Sequence, residues 1–162
     1  MKRLSSHIEN NDVSQTIYEK YLDYTKQYQQ QYGKRTVILM MVGSFFEVYG
    51  LKSPSTGEIL GSAIDDVTRI CQMNVTEKKK VSVDGNTVLM AGFPEYTLER
   101  YLQKLSDSGY TSVVIVQDED NSIKGDKKKH IVHSIHSAGT FHHYEVNQPR
   151  LSNNIMSVWI SS

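Results

Sequence analysis

A single cysteine, no surplus of charge and no long apolar run are the first things this chain of 162 residues shows. With Cys71 alone there is no internal disulfide framework, and the usage is compatible with a reducing compartment. The 18 basic residues balance 18 acidic ones, so net charge makes no electrostatic case for nucleic acid or a membrane surface. No apolar stretch is long enough to span a bilayer, and the opening MKRLSSHIENND lacks the apolar segment of a signal peptide. The pattern GxxxxGK[ST] is absent, which excludes nucleotide hydrolysis on a phosphate loop in this stretch. No internal repeat is found. An intracellular protein, or a piece of one, is the expectation.

What is present fits one globular domain with a single core: 38% of residues are hydrophobic and 22% charged. Residues 1–12 are polar and read as a flexible N-terminus. Asp12 is placed to cap a helix, with Gln15 three residues on. Ile17, Tyr21, Tyr24, Tyr28 and Tyr32 then fall on one helical face, and Gly33 is suited to end that helix in the left-handed conformation. Thr36–Val42 is continuously apolar and reads as a buried strand. Gly43-Ser44 turns it into a second strand, Phe45–Tyr49, and LKSPSTGE reads as an exposed loop. Ala63, Val67, Ile70 and Cys71 predict a helix over about 62–73. After EKKK, Asp84-Gly85 signals a turn, Thr87–Ala91 a strand, and Leu98, Tyr101, Leu102 and Leu105 a helix closed by Gly109. TSVVIVQ reads as a central strand covered on both faces. DEDNSIKGDKKK reads as a solvated loop and HIVHSIH as another strand. IMSVWI starts a strand near the C-terminus, as though the natural chain continues. The fold class is therefore α/β: a single mixed sheet of about five or six strands with about three flanking helices.

The stretch VGSFFEVYG poses the functional question. Strand alternation sends Phe46 and Val48 one way and Phe45, Glu47 and Tyr49 the other. One phenylalanine has a core address, and its neighbour shares a face with a carboxylate. The other chemistry-bearing residues are less specific. His130, His133 and His136 are three apart, but they alternate with Ile131, Val132 and Ile135 in a strand. That puts His130 and His136 on one face and His133 on the other, with no cysteine or carboxylate at ligand spacing. Asp65, Asp66, Asp118 and Glu119 lie near element ends, where a metal-dependent nuclease would carry them; helix-end and loop charges are the plainer reading. The runs Lys78–Lys80 and Lys127–Lys129 are either solvated loops or phosphate contacts, which salt dependence distinguishes. The tyrosines of the first helix have core periodicity, although tyrosine-rich surfaces also bind partners.

The order GSFFEVYG, LMAGFP, LERYLQKLSDSGYTSVVIVQD and HSAGT resembles the N-terminal mismatch-sensing domain of the MutS DNA mismatch-repair family, whose pattern reads G-D-F-Y-E-L-F, P-M-A-G-x-P, a helix ending L-x-x-x-G-Y, a strand closing with E-Q, and T-P-G-T. Each motif alone is weak, whereas four in order are specific. The likeness runs from about Tyr18 to Trp159, and its wording is nearest to a divergent branch of large DNA viruses and some organelles. It implies a mismatch-sensing domain over 13–143 and a linker with the first strand of a connector domain over 144–162. It also implies DNA contacts through Phe45, as a wedge stacking on a mispaired base, and Glu47, hydrogen-bonding that base; Lys78, Lys79 and Lys80, from the charge run, are the candidate DNA contacts beside them. The implied partner is mismatched double-stranded DNA. Further implications are a homodimer formed through other domains, ATP and Mg bound elsewhere in the full-length protein with no cofactor in this segment, and an intracellular, DNA-associated location. There are departures: Ser44 replaces the aspartate before the wedge, Ala138 the proline of T-P-G-T, and Val116-Gln117 the E-Q pair. His130 and Ser134 stand at positions that are often basic, which weakens phosphate contact there. With no basic surplus, the domain by itself is expected to bind DNA weakly. A metal-dependent nuclease and a protein-interaction domain are the alternatives.

Overall fold

Helix α1, Ile17–Tyr32, starts at a capping box. The Glu19 amide donates to the Thr16 hydroxyl (3.3 Å) and the Thr16 amide donates to the Glu19 carboxylate (2.7 Å), so two otherwise orphaned donors are satisfied reciprocally. The start therefore falls later than Asp12 and Gln15 suggested. The computed structural model describes residues 15–118 and 129–138, so Asp12, the N-terminal segment 1–12, Glu119, the final strand IMSVWI and the segment 144–162 lie outside the described residues. At its other end the helix stops at Gly33, with φ 93° and ψ 172°. That φ suits glycine, but the ψ is extended, so the stop is not the left-handed cap expected.

Strands β1, Thr36–Val42, and β2, Phe45–Lys52, form the expected hairpin, with Val42 across from Phe45 and Gly43 at φ 61° in the two-residue turn. β2 continues past Tyr49 because Gly50, Leu51 and Lys52 keep pairing with Leu89, Val88 and Thr87. A two-residue strand β3, Ile59–Leu60, lies antiparallel to Leu51–Lys52. Helix α2 is Ile64–Cys71, shorter at both ends than expected. EKKK belongs to a strand, β4 (Thr76–Val83), which turns through Asp84 and Gly85 (φ 49° and 76°) into β5, Asn86–Pro94. A 3-10 turn, Glu95–Thr97, leads to helix α3, Leu98–Asp107. That helix closes on Gly109 (φ 78°) with Tyr110 N–H to the Leu105 carbonyl and Gly109 N–H to the Ser106 carbonyl, both 2.9 Å. β6, Thr111–Gln117, and β7, His130–His136, complete the sheet.

The strand order is β4-β5-β2-β1-β6-β7, with β3 beside β2. Among the described residues only β1 and β6 pair in parallel. Among the described residues this is an α/β domain with one mixed sheet of seven strands and three α-helices. The central position expected for TSVVIVQ holds, because Ser112–Ile115 are buried between β1 and β7. α1 covers one face: the Tyr21 hydroxyl donates to the Ile38 carbonyl (3.1 Å), and the rings of Tyr18 and Tyr21 meet Tyr49 edge-on. α3 covers the other face, where Tyr101 stacks on Phe93 at 4.2 Å and Phe93 lies 5.9 Å from Phe46. α2 sits on that second face too, with Ile64 pressed against Gly50.

Candidate nucleic-acid interface

Phe45 is the first residue of β2, held between Val42 of β1 and Pro94 of β5. The backbone before it is tied down as well, since the Glu95 amide donates to the Ser44 carbonyl at 2.9 Å. The ring is 49% exposed, whereas Phe46 is 1% exposed and joins the Phe93–Tyr101 stack. The displayed and buried rings are thus those that alternation expected. Tyr49 shares the face of Phe45 and Glu47 as expected, but α1 roofs it, leaving it 3% exposed.

Glu47 is half-buried and lies across from Met40 and Gly92. A Cβ added at residue 92 would come within 2.9 Å of the Phe46 carbonyl oxygen and 3.3 Å of Glu47 Cγ. Glycine in LMAGFP therefore leaves the lane in which the acid lies. The Tyr49 hydroxyl donates to the Glu47 carboxylate. Burial first, and then this bond to a carboxylate, push the Tyr49 phenol far above its usual range, so it stays a donor. Neither Tyr49 nor Gly92 was singled out from sequence. Nor was Tyr96, which is 88% exposed and sits two residues beyond Pro94 at the same end of the sheet as Phe45.

Lys78, Lys79 and Lys80 lie on β4, an edge strand, and not in a loop. Lys78 is across from Val88, which is across from Leu51. It is thus six positions along β2 from Phe45, on the order of 20 Å, and two strands over. A bulge between Lys78 and Ser82 and the row of lysines are also what keeps a sheet edge from pairing with another chain.

The remaining candidates do not assemble. A bulge between Val114 and Ile115 shifts the β7 register, so His130 sits across from Gln117 and His136 across from Ser112. Those partners are five residues apart, which puts His130 and His136 on opposite faces, where uninterrupted alternation had them together. His130 Nε2 lies 3.0 Å from the Met41 carbonyl, and burial pushes its pKa down. His133 and His136 both reach the Ser134 hydroxyl, at 3.1 and 2.9 Å. No group of three metal-ligating side chains occurs among the described residues. Asp66 is bonded by Arg69 and by the Tyr110 hydroxyl (2.7 Å), beside the start of β6, while Asp118 follows its end. The length of the strand, about 20 Å, separates them. In the tyrosine stripe Tyr21 is core, but Tyr24, Tyr28 and Tyr32 form a stacked ladder that ends 43% exposed at Tyr32. Among the described residues no helix is long and apolar enough to cross a membrane.

The described residues thus form an α/β domain with one mixed sheet, with an aromatic residue and an acid side by side near one end of it. The sequence pattern of the family described as MutS domain I matches residues 17–145. The chain belongs to the MutS domain I family. It is similar to the DNA mismatch repair protein MutS of Bacteroides fragilis, 34% identical over 84 residues that make up 52% of this chain and 8% of that protein. It is 29% identical to the protein of the same name from Rhodopirellula baltica, over 78% of this chain and 13% of the relative. For that of Thermosynechococcus vestitus it is 26% identical over 95% of this chain and 16% of the relative. The chain thus spans between 8% and 16% of the length of these relatives.

Proposed function

We propose that this chain senses mismatched base pairs as the DNA-probing segment of a larger mismatch-repair protein, and is not itself an enzyme. One observation carries the reading: Phe45 stands half in solvent beside Glu47, on a strand that the buried Phe46 anchors in the core. Family membership and the names of the relatives support it.

Driving a ring between base steps costs a few kcal/mol of unstacking and kinks the duplex. A mispaired step is already weakened, so it costs less. Stacking on an aromatic returns roughly 1–3 kcal/mol per base. Discrimination then comes from how easily the duplex deforms more than from a code of base edges. Glu47 repels phosphate and becomes tolerable only when its carboxylate accepts a hydrogen bond from a displaced base. Well-paired, unkinked DNA offers no such bond and is rejected by the same charge. Tyr96 extends the aromatic surface at this end. Lys78, Lys79 and Lys80, on the order of 20 Å away, would meet phosphates about six base pairs from the wedge at 3.4 Å per pair. ATP with Mg and a homodimer interface belong, in this reading, to the rest of the longer protein. No step here runs through a nucleotide. The setting is intracellular and DNA-associated.

The test is binding of the full-length protein to mismatched and fully paired oligonucleotides, wild type against Phe45→Ala. The substitution is expected to remove most of the preference for mismatched DNA, a change of tenfold or more if stacking is lost. An unchanged preference overturns the wedge.

A further inference from the structure

The geometry points to Tyr49 as the positioning residue that holds the side chain of residue 47 in the orientation in which it meets a displaced base. The phenol engages Oε2 of the Glu47 carboxylate, and Oε1 remains as an acceptor for an N–H on the base. This inference rests on the reading of Glu47 as the base-contacting acid.

The phenol is well placed to hold that orientation. Its ring is 3% exposed and meets Tyr18 edge-on at 5.0 Å and Tyr21 edge-on at 5.2 Å, so the hydroxyl cannot swing away without opening the α1–sheet contact. The backbone behind the ring is fixed as well, because the Ser62 hydroxyl donates to the Tyr49 carbonyl. On the other side Gly92, with no Cβ, leaves the space in which the Glu47 side chain lies. A carboxylate has only acceptors, and a neutral phenol that donates to it takes one of them. The class of ligand follows: a mispaired base that turns an N–H towards the sheet, such as the imino group of thymine or guanine. A base that turns a bare ring nitrogen, as adenine and cytosine do, meets a second acceptor and is disfavoured.

A substitution at residue 47 makes the claim sharp. With Glu47→Gln the phenol donates to the amide oxygen and the NH₂ faces outwards, so the same position presents a donor. The experiment compares full-length wild type, Tyr49→Phe, Glu47→Gln and the double variant. Each is tested on heteroduplexes whose mispairs contain thymine or guanine, and on others built only from adenine and cytosine. Wild type is expected to favour the first set. Glu47→Gln is expected to reverse that order, while Tyr49→Phe narrows it about tenfold. The double variant is expected to show neither preference. Loss of the hydroxyl leaves the ring packing in place, so damage to the fold would not reverse a preference; urea unfolding of Tyr49→Phe checks that the domain is intact. If Glu47→Gln behaves alike with and without the Tyr49 hydroxyl, Tyr49 is packing only and the inference is wrong. Phe45→Ala, run alongside, separates the two readings. If it keeps the preference for mismatched DNA, the proposed function itself falls. If it loses that preference while the Tyr49 series fails, only the present inference falls.

Discussion

Phe45 and Phe46 are consecutive and chemically identical, yet one is 49% exposed and the other 1%. The difference lies in what each face of β2 meets. On the Phe46 face, Phe93 and Tyr101 continue a run of stacked rings down from α3. On the Phe45 face, α1 reaches the sheet at Tyr49 through Tyr18 and Tyr21, four residues further along the strand. A half-buried acid lies between that roof and the displayed ring. One pleat thus holds a buried ring and a displayed one back to back, and the displayed ring takes its place on the strand from the core behind it.

The strongest way to break the comparison is Phe46→Ala. Removing a fully buried ring is expected to cost about 3–5 kcal/mol in denaturant unfolding, and a cost below about 1 kcal/mol would mean that the two rings are not divided as described. Gly92→Ala comes next. The new Cβ meets the Phe46 carbonyl, a backbone atom that cannot easily yield, and crowds Glu47. About 1–3 kcal/mol of destabilisation is expected, together with weaker mismatch preference.

A smaller effect is expected at the far end of the sheet, which shows no such display. There Arg35 lies over the Tyr110 ring, and Tyr110 and Arg69 hold the Asp66 carboxyl below the usual carboxylate range. Burial and the Asp66 bond push the Tyr110 phenol up to about 12. A depressed carboxyl contributes stability that is present above its unfolded value, about 3.9, and is lost as pH falls through the lower folded one. Tyr110→Phe should therefore lower stability slightly at neutral pH and flatten its fall below about pH 4, as acid titration of unfolding would show. The effect is small because the Asp66 side chain is 45% exposed and water screens it. Smallest of all is the stability change for Phe45→Ala, expected within about 0.5 kcal/mol. A large loss there, measured in the same unfolding series, would make Phe45 a structural residue.

Much of this was legible because the signals were local. The continuous apolar character of TVILMM and TSVVIVQ gave the central pair, and the strict period of two through SFFEVY gave the opposite fates of two phenylalanines. What was not legible depended on neighbours. EKKK gives no strand signal because β4 is an edge, where lysines face water and a bulge breaks alternation. The second bulge separated His130 from His136, and no pattern in HIVHSIH announces it. Tyr49 looked displayed because alternation gives a face and not its roof. The link from Tyr49 to Glu47, and the space that Gly92 leaves, exist only once three strands and a helix have come together. Four motifs in fixed order carried the family, but the distance between the lysines and the ring required the sheet order.

The parallel joining of β1 to β6 has a consequence for how the domain is made. Until Thr111–Gln117 leaves the ribosome, the buried, apolar strand β1 has a partner on one side only. The hairpins formed earlier must wait with that edge bare, a template for unwanted pairing with a neighbouring chain. Any shortened version ending before Thr111 would keep the ring, the acid and the lysines and still be a poor protein. A usable minimal domain has to run through Gln117, well past the last residue that the proposed DNA contact needs.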